Sequence, residues 1–471
     1  MGRLRDSLAG IFAILGCKKE TSVAGAAVIV TAILATHVAA QTPGASSGPS
    51  SPGDRPSEPR APAAGESFGV DLSTSINSSF ARDRNVGVTE RPHEGYEAKG
   101  IRLGGFLAYP KVTAEARHSD NIYATETQKV GDTIWMVTPE IDLVSNWPRH
   151  AVNAYARAAF NRYTKATDEN TSDYAVGVSG RADLLRFSNV TANVDWSRLT
   201  EPRTSPNSIG VAAKPVRYDL GVVGLRGQHE VNRLRLSGGY NLQHFTYSNP
   251  PRIGSGVVDQ SFRDRDIHLL TGRVDYAVSP ATSWFVEMDA NSRNYKHVAV
   301  GDVGRNSAGV QALGGVNFEI SALLRGELGL GYLRQTFDDS RLKAVKGFGA
   351  RGKIEWFPTQ LTTVTLDGAR TVEDSAVAGS GAYVASHGEL RVDHELLRNL
   401  LLAAKGGFGV DRYKDINRTD NRVSAGFSAT YLLNRAFGLT GSYNFDKRKT
   451  ARGTGSNFKE NQFLLTLTAQ F

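Results

Sequence analysis

The stretch that decides the fold of this chain is FLLTLTAQF, residues 463–471. Counting back in twos from the last position, every second residue is apolar: Phe471, Ala469, Leu467, Leu465 and Phe463. The residues between them are polar, apart from Leu464. Side chains of a β-strand point alternately to its two faces, so this pattern predicts a strand with one apolar face and one mainly polar face.

The apolar set ends on an aromatic residue, and in this it resembles the carboxyl-terminal assembly signal of bacterial outer-membrane β-barrels. A soluble sheet could also supply such a strand, but few soluble domains end flush on an exposed apolar residue, because termini usually fray. We therefore interpret the same five residues as a candidate assembly signal, read by the barrel-assembly machinery: Phe463, Leu465, Leu467, Ala469 and Phe471.

The same alternation recurs through most of the chain after Ile101. It is clear in residues 234–242, 324–332 and 423–433, where apolar residues alternate with polar residues or glycine along the chain. Helical periodicity is largely absent. Many strands of about ten residues without intervening helices predict an all-β, transmembrane, antiparallel up-and-down β-barrel.

Short turns and long loops alternate along this region. Short turns are predicted near positions 148, 187, 230, 280, 322, 359, 398 and 435, and residues rich in Gly, Asn, Pro and charge form longer connections between them. Each repeat is thus one hairpin, which gives about 18 strands (16–20) and an outer-membrane location. The predicted hairpin repeat is about 40 residues long, and the repeat of a soluble propeller has a similar length. Each propeller blade, however, holds four short strands and not two long ones.

Composition shifts divide the chain into four parts. Residues 1–40 carry basic residues, an apolar run and Val38-Ala39-Ala40, which predicts a signal peptide. An uncleaved anchor, or lipid attachment at Cys17, is the alternative reading of this part. Residues 41–67 predict a disordered Pro/Ser/Gly-rich linker, residues 68–100 an N-terminal extension (a possible plug or first strand), and residues 101–471 the barrel.

Charge and cysteine content narrow the function classes. The formal net charge is +8, and the two signs are intermingled without a basic block, so no nucleic-acid partner is expected. The single cysteine lies in the predicted export signal, so the mature chain is expected to contain no thiol. A chain without a thiol suits an oxidising compartment, where a stray cysteine could mispair. No cofactor is expected.

Several short motifs resemble catalytic or metal sites without meeting their requirements. Residues 347–353 match a phosphate loop, yet Ile354 follows the lysine and strand alternation continues to Trp356, so we interpret them as a barrel strand. His394-Glu395 lacks the second histidine of a zinc helix. Asp338-Asp339 could bind Ca²⁺ or remain solvated loop charges. The sequence predicts no metal site and no catalytic residue, although scattered Ser, His and Asp could meet as a hydrolase.

The charged residues of the strands share one face. A charge facing lipid at mid-bilayer costs about 2–4 kcal/mol, so these groups are predicted to line the lumen. The residues concerned are Arg157, Arg181, Asp183, Asp195, Arg233, Arg235, Arg273, Asp275, Glu287, Asp289, Arg325, Glu327, Arg351, Lys353, Glu355, Glu389, Arg391, Asp393 and Lys405. They could pair across strands and fill the interior, or border a hydrophilic passage. A barrel of 18 strands is too wide to be packed by side chains alone, which favours a passage or a channel plugged by loops.

The strands that flank residues 338–343 allow a register to be predicted. Opposing residue numbers should sum to about 680, so that Glu327 faces Lys353, Arg325 faces Glu355, and an apolar pair faces lipid. A slip by one residue would turn these four charges towards lipid. A slip by two residues keeps the faces and stays open.

One stretch near the start of the barrel resembles a family of β-barrel porins often encoded with exopolysaccharide or capsule biosynthesis genes. The resemblance rests on Arg91-Pro92, Tyr96, Gly100-Ile101, Gly105-Phe106, Pro110, Asn121-Ile122-Tyr123, Asp132-Thr133, Pro139 and Trp147-Pro148-Arg149-His150. It implies an outer-membrane barrel that serves polysaccharide secretion, with no functional residues to carry over. The lumen lacks the single charge sign expected of a dedicated polyanion pore.

These observations predict a monomeric, non-enzymatic outer-membrane barrel whose hydrophilic passage serves exopolysaccharide export. Its expected partners are outer-membrane lipid, the barrel-assembly machinery and periplasmic polysaccharide-export components. The alternatives are a general diffusion porin for small solutes and an outer-membrane hydrolase.

Overall fold

The computed structural model of the chain describes residues 86–321, 323–453 and 455–471. The predicted signal peptide 1–40, the predicted linker 41–67 and residues 68–85 of the predicted extension lie outside the described residues.

Strands dominate the described chain. In order they are β1 Ile101–Leu103, β2 Phe106–Ser119, β3 Asp132–Ser145, β4 Ala151–Tyr163, β5 Thr171–Leu185, β6 Ser188–Thr200, β7 Arg217–Val231, β8 Leu234–Tyr247, β9 Arg265–Ser279, β10 Thr282–Tyr295, β11 Ser307–Ile320, β12 Leu324–Phe337, β13 Val345–Thr359, β14 Thr362–Asp374, β15 Ala382–Leu397, β16 Leu400–Tyr413, β17 Thr419–Leu432, β18 Phe437–Arg452 and β19 Phe458–Gln470. Two 3-10 helices, Thr167–Glu169 and Ser261–Arg263, lie in connections. No helix in the described ranges is long and apolar enough to cross a membrane.

Strands β2 to β19 form a closed antiparallel barrel. Each strand pairs with its neighbours in sequence, and β19 pairs with β2 from Gln462↔Ser119 to Gln470↔Lys111. The ring therefore has 18 strands, which confirms the predicted fold class and strand number. Closure also satisfies the edge groups that an open sheet would leave unpaired in lipid.

The barrel begins a few residues later than the sequence indicates. The sequence predicts that the barrel starts at Ile101, but β1 has only three residues and pairs with β2 as a small hairpin, with Leu103 opposite Phe106. Gly104 makes this tight reversal with a φ of +61°, a left-handed conformation that glycine adopts without strain. The first strand of the ring is therefore β2.

The eight predicted short turns lie at the joints between β3 and β4, β5 and β6, and so on to β17 and β18. The other end of the barrel carries longer loops, among them residues 201–216 and 248–264. We call the two ends the short-turn end and the loop end. Phe471 lies at the short-turn end, where its amide donates a hydrogen bond to the carbonyl oxygen of Pro110 at 3.2 Å.

The barrel is apolar outside and polar inside. In β10, Trp284 and Val286 are 62% and 65% exposed on the outer face, whereas the intervening Phe285 and Glu287 are 2% exposed. This inversion of the usual globular arrangement follows from strand alternation when one face is in contact with lipid.

The predicted register between β12 and β13 is confirmed. Glu327 lies opposite Lys353, Arg325 opposite Glu355, and the apolar pair Leu324 and Trp356 faces outward. The false phosphate loop, residues 347–353, lies within β13 as a continuous strand.

The terminal strand gives the first testable prediction. Phe471 is 60% exposed on the outer face, next to the seam that closes the ring. We expect Phe471→Asp to reduce the heat-modifiable barrel in membrane fractions, because the apolar aromatic terminus is the proposed recognition element. Phe437→Asp is the matched control, since Phe437 is also exposed at the short-turn end but is not terminal. Equal loss in both variants would contradict a special role for the terminal residue.

Candidate functional site

The interior of the barrel has two sides with different contents. The inner faces of β7–β14 are packed with ion pairs, apolar side chains and loops, and we call this the filled side. The inner faces of β15–β19 and β2–β5 border a continuous cavity of about 960 Å³, and we call this the open side. The seam between β19 and β2 runs through the middle of the open side.

A buried charge network occupies the middle of the filled side. Arg273 has a completely buried side chain and contacts Asp275 at 2.7 Å, Glu287 at 3.1 Å and Glu327 at 2.9 Å. Arg351 contacts the same Glu287 at 2.8 Å and Glu327 at 2.9 Å. The network joins β9, β10, β12 and β13, so it links strands that are not neighbours in the barrel. We call it the Arg273 network.

An aromatic ring lies beneath this network. The guanidinium of Arg273 stacks over Phe285 at 3.8 Å from the ring centroid. The ring in turn packs on Gly315 and Gly329, where a Cβ would collide with it at the first position and lie 3.0 Å from it at the second. Glycines in β11 and β12 therefore let an inward phenylalanine lie flat against the wall, with the cation above it.

A second cluster closes the filled side near the loop end. Asp374, at the end of β14, contacts Arg293 at 2.6 Å and Arg265 at 2.9 Å. These arginines belong to β10 and β9, so the cluster reaches across the interior.

The loops above this cluster hold one another in place. Arg305 donates to the carbonyl oxygens of Val377 and Ser380, and its partner Asp302 accepts from the amide of Gly379 at 3.0 Å. Burial would raise the pKa of Asp302, but hydrogen bonds from the amides of Gly379 and Val303 and the charge of Arg305 outweigh it and lower that pKa. The carboxylate therefore stays ionised and keeps the loops together.

Residues 201–216, the loop between β6 and β7, cross the lumen, and we call them the crossing loop. Arg203 contacts Glu169 at 2.6 Å on the β4–β5 connection. Arg448 of β18 donates to the carbonyl oxygens of Thr204 and Ser205 at 3.2 and 3.1 Å. Asn207 exchanges hydrogen bonds with Asp374 and Ala376 at the end of β14. The loop thus touches opposite parts of the wall and covers the cavity at the loop end.

Residues 86–99 cross the short-turn end from inside, and we call them the latch. Val88 is 1% exposed, and its amide donates to the Thr363 hydroxyl at 2.9 Å. Glu90 contacts Arg325 at 2.8 Å, and Arg91 contacts Glu395 at 3.4 Å. Farther along, the Gln470 side chain donates to the carbonyl oxygen of Tyr96 at 3.2 Å. The described part of the predicted extension contains no strand before β1 and lies against β12, β14, β15 and β19.

The cavity on the open side has these two segments at its ends. Thr89 of the latch and residues 201–206 of the crossing loop are among its lining residues. The wall between them carries small hydroxyl side chains and charges of both signs. The hydroxyls include Ser424, Ser428, Thr430, Thr440 and Ser442, and the charges include Lys111, Glu115, Arg117, Glu140, Asp173, Glu389, Arg391, Lys405, Arg422 and Glu460.

The structure distributes the predicted lumen residues among different surroundings. Five form the Arg273 network: Arg273, Asp275, Glu287, Glu327 and Arg351. Three line the cavity: Glu389, Arg391 and Lys405. Most others have local partners, which are Arg181 with Asp183, Arg235 with Glu230, Arg325 with Glu355, Lys353 with Glu355, Asp393 with Arg391, Asp195 with Tyr155, and Asp289 with Thr271. Arg157 stacks over Tyr155. Arg233 lies in the turn between β7 and β8 and is exposed.

The ion-pair partners of Glu327 and Lys353 are not the residues that lie opposite them in the register between β12 and β13. Glu327 is opposite Lys353 in the register, yet its carboxylate accepts hydrogen bonds from Arg273 and Arg351, whereas the Lys353 ammonium lies 3.0 Å from Glu355. An arginine on a distant strand therefore contacts Glu327 from within the lumen.

Sequence reasoning did not single out the cavity residues of β2 and β3. Lys111 contacts Glu140 at 3.1 Å, and Arg117 contacts Glu115 at 2.7 Å, all on the cavity wall. Alternation in residues 111–117 would have identified the inward face of β2. The crossing loop has no such periodic pattern.

Serine, histidine and acidic side chains could form a hydrolase or metal site only where the fold brings them together. Ser188 and His229 lie within hydrogen-bond distance on the outer face near the short-turn end, and no carboxylate of the described ranges bonds to that histidine. Asp339 is paired with Arg341 at 2.6 Å in its loop. No group of three His, Cys, Asp or Glu side chains suited to a metal ion occurs among the described residues.

Lys405 gives a prediction for ion selectivity. It lies on the cavity wall, whereas Lys353 lies on the filled side against Glu355. We expect Lys405→Glu to shift the reversal potential of reconstituted channels in a salt gradient towards cation selectivity, because it reverses a charge beside the ion path. Lys353→Glu is the matched control and should give a smaller shift. A larger shift for the control would place the ion path on the other side of the lumen.

Several solved outer-membrane structures are similar to the chain. Acinetobacter baumannii OccAB3 is 15% identical, with a TM-score of 0.44, and the match covers 78% of this chain and 100% of that chain. Pseudomonas aeruginosa OccK2 (OpdF) is 12% identical, with the same TM-score and coverage. The Pseudomonas aeruginosa ferric enterobactin receptor (PfeA), as a mutant, is 8% identical over 77% of this chain and 80% of that chain, with a TM-score of 0.43.

No curated protein matches the chain. The profile of a protein family described as "Putative beta-barrel porin 2" matches residues 93–471, which is most of the sequence and the whole ring of strands. The fold and the family are those of a channel. The chain therefore belongs to this porin family and is a protein of the Gram-negative outer membrane.

Proposed function

We propose that this barrel is a passage for exopolysaccharide export that is closed at rest and opens when a periplasmic partner engages it. The observation that carries the proposal is the cover at both ends of the cavity, by the latch at the short-turn end and by the crossing loop at the loop end. A constitutively open pore has no need of two such covers. The cargo class comes from the family resemblance of the sequence.

The cavity wall is consistent with a polyhydroxylated cargo. Serine and threonine hydroxyls on β17 and β18 face the lumen, and each can donate and accept hydrogen bonds. Charged lining groups of both signs are largely paired, as in Lys111 with Glu140 and Arg422 with Asp411. Such a wall offers hydrogen bonds to sugar hydroxyls without holding a polymer by one strong charge.

The latch is the proposed contact point for the periplasmic partner. In outer-membrane barrels the short turns face the periplasm, so the latch and the proposed linker before it belong to that side. We also propose that the barrel acts as a monomer in outer-membrane lipid, that the barrel-assembly machinery inserts it, and that residues 1–40 direct its export.

A general diffusion porin is the second candidate function. It is favoured by the balance of positive and negative groups on the cavity wall, which would pass small solutes of either charge. The two candidates differ in their resting conductance and in the effect of losing the protein on the cell.

The test combines a bilayer measurement with a genetic one. If the export proposal holds, the purified chain in planar bilayers should show little conductance at rest, and liposomes that contain it should not swell in small sugars. A cell without the gene should lose surface polysaccharide and regain it when the native chain is restored. Rapid swelling in small sugars together with unchanged polysaccharide secretion would instead identify a diffusion porin.

A further inference from the structure

The outer face of the barrel carries a one-signed group of charges at the loop end. Along β12–β19, six exposed basic side chains alternate outward near the loops: Arg334, Lys346, Arg412, Lys447, Lys449 and Lys459. Among the described residues of these strands, no acidic side chain lies on this part of the outer face; Asp374, at the end of β14, turns inward to Arg293 and Arg265. We call the six residues the basic belt.

Two pairs within the belt place like charges directly opposite each other. Arg334 faces Lys346 across β12 and β13, and Lys447 faces Lys459 across β18 and β19. Like charges at directly opposed positions of a ladder are destabilising. None of the four forms an ion pair with a carboxylate of the described residues, and a further cation, Lys129, donates to the backbone oxygen of Lys459 at 2.7 Å.

Outside the basic belt, several charged side chains of the barrel are found next to groups of opposite charge. Outward cations near the loop end there include members of ion pairs, such as Arg198 with Asp219 at 2.8 Å and Lys296 with Asp266 at 3.8 Å. The buried Arg273 network likewise matches each arginine with carboxylates. In the part of the chain that the structure describes, directly opposed outward cations without a carboxylate partner lie on one arc of the outer surface, where an external anion could compensate them.

The position of the belt on the barrel is the one expected for the level of lipid headgroups. Tyr332 and Phe348 face each other on the outer face, 51% and 55% exposed, two residues from Arg334 and Lys346 towards the barrel centre. Two residues of a strand span roughly 7 Å. Exposed aromatic residues mark the membrane interface of such barrels, and the long loops face the cell exterior.

We propose that the basic belt binds the phosphate groups of a phosphorylated glycolipid in the outer leaflet, with Arg334–Lys346 and Lys447–Lys459 as its two phosphate-binding pairs. A phosphate between two opposed cations converts their repulsion into charge-assisted hydrogen bonds on both sides. The acyl chains of the same lipid would cover the aromatic and aliphatic residues below. This inference is independent of what passes through the lumen.

The test uses the folded full chain in detergent with diphosphoryl lipid A, its dephosphorylated form, or inorganic phosphate as probes. Two variants each remove one pair, Arg334→Gln with Lys346→Gln and Lys447→Gln with Lys459→Gln. The control, Arg186→Gln with Arg398→Gln, removes the same charge from exposed turns at the short-turn end. Lipid retained per barrel after gel filtration and the shift in melting temperature are measured.

Diphosphoryl lipid A should raise the melting temperature of the native chain and the control, and each belt variant should need about tenfold more lipid for the same shift. Without lipid at low salt, the belt variants should melt at the same or a higher temperature than the native chain, because a repulsion has been removed. If a double variant does not fold, Lys346→Gln and Lys459→Gln alone provide the comparison.

Three results would overturn the proposal. Unchanged lipid affinity in both belt variants would show that the pairs do not bind it. Equal retention of the dephosphorylated lipid would assign binding to the acyl chains, and an equal thermal shift with inorganic phosphate would indicate a free-anion site.

Discussion

Arg273→Ala should lower the free energy of unfolding of the barrel by about 3–5 kcal/mol, the range observed when one partner of a buried ion pair is removed. The side chain of Arg273 is completely buried and contacts Asp275, Glu287 and Glu327. Without it, Arg351 remains as a counter-charge for Glu287 and Glu327, and Asp275 loses its closest cation. The variant also exposes the ring of Phe285, over which the guanidinium stacks.

The measurement is equilibrium unfolding of the reconstituted barrel in denaturant, followed by tryptophan fluorescence and heat modifiability. Arg181→Ala is the matched control, because Arg181 also pairs with an aspartate two residues away but its side chain is 44% exposed. Its loss should cost less than about 1 kcal/mol, as for exposed ion pairs in general. Equal effects of the two substitutions would show that the Arg273 network does not stabilise the filled side.

Sequence alternation predicted which face Arg273, Glu327 and Arg351 would occupy, because a strand that borders lipid can hide charge only on its inner face. It could not predict that these three would meet. Arg273 lies on β9, which does not adjoin β12 or β13, so its contact with Glu327 depends on how the wall curves and on the small residues Gly315 and Gly329, which make room for Phe285. Local pattern determines the face, whereas contacts across the lumen depend on the whole ring.

The register between β12 and β13 was predictable for a related reason. Turn position and the cost of turning charge towards lipid together leave few pairings, and the observed one places Arg325 against Glu355. The crossing loop and the latch have no repeating pattern and lie inside a lumen whose shape the sequence does not reveal. Their positions depend on single contacts, such as those of Arg203, Asn207 and Val88, which a periodicity argument cannot find.

Removing the latch should increase the conductance of the reconstituted barrel severalfold. The latch, residues 86–99, crosses the short-turn end, and Thr89 lines the end of the cavity there. Its described hydrogen bonds and ion pairs with the wall join Val88 to Thr363, Glu90 to Arg325, Arg91 to Glu395 and to the backbone of Gln360, and Tyr96 to Gln470. Deleting the segment leaves the ring of strands intact, and a ring of this size is wide enough for an aqueous channel. Single-channel recording in planar bilayers measures the change.

A disulfide provides the reciprocal experiment, in which the latch is held in place. Val88→Cys with Thr363→Cys joins two residues whose amide and hydroxyl are 2.9 Å apart, on a background with Cys17→Ser so that no other thiol interferes. Oxidation forms the disulfide, holds the latch in place and should keep the conductance low. Reduction of the disulfide should allow the barrel to open again in response to a periplasmic partner. Deletion of 14 residues from the predicted linker, 50–63, is the control and should leave conductance unchanged. If latch deletion leaves conductance at the native level, then the crossing loop alone closes the passage, since it covers the cavity at the loop end.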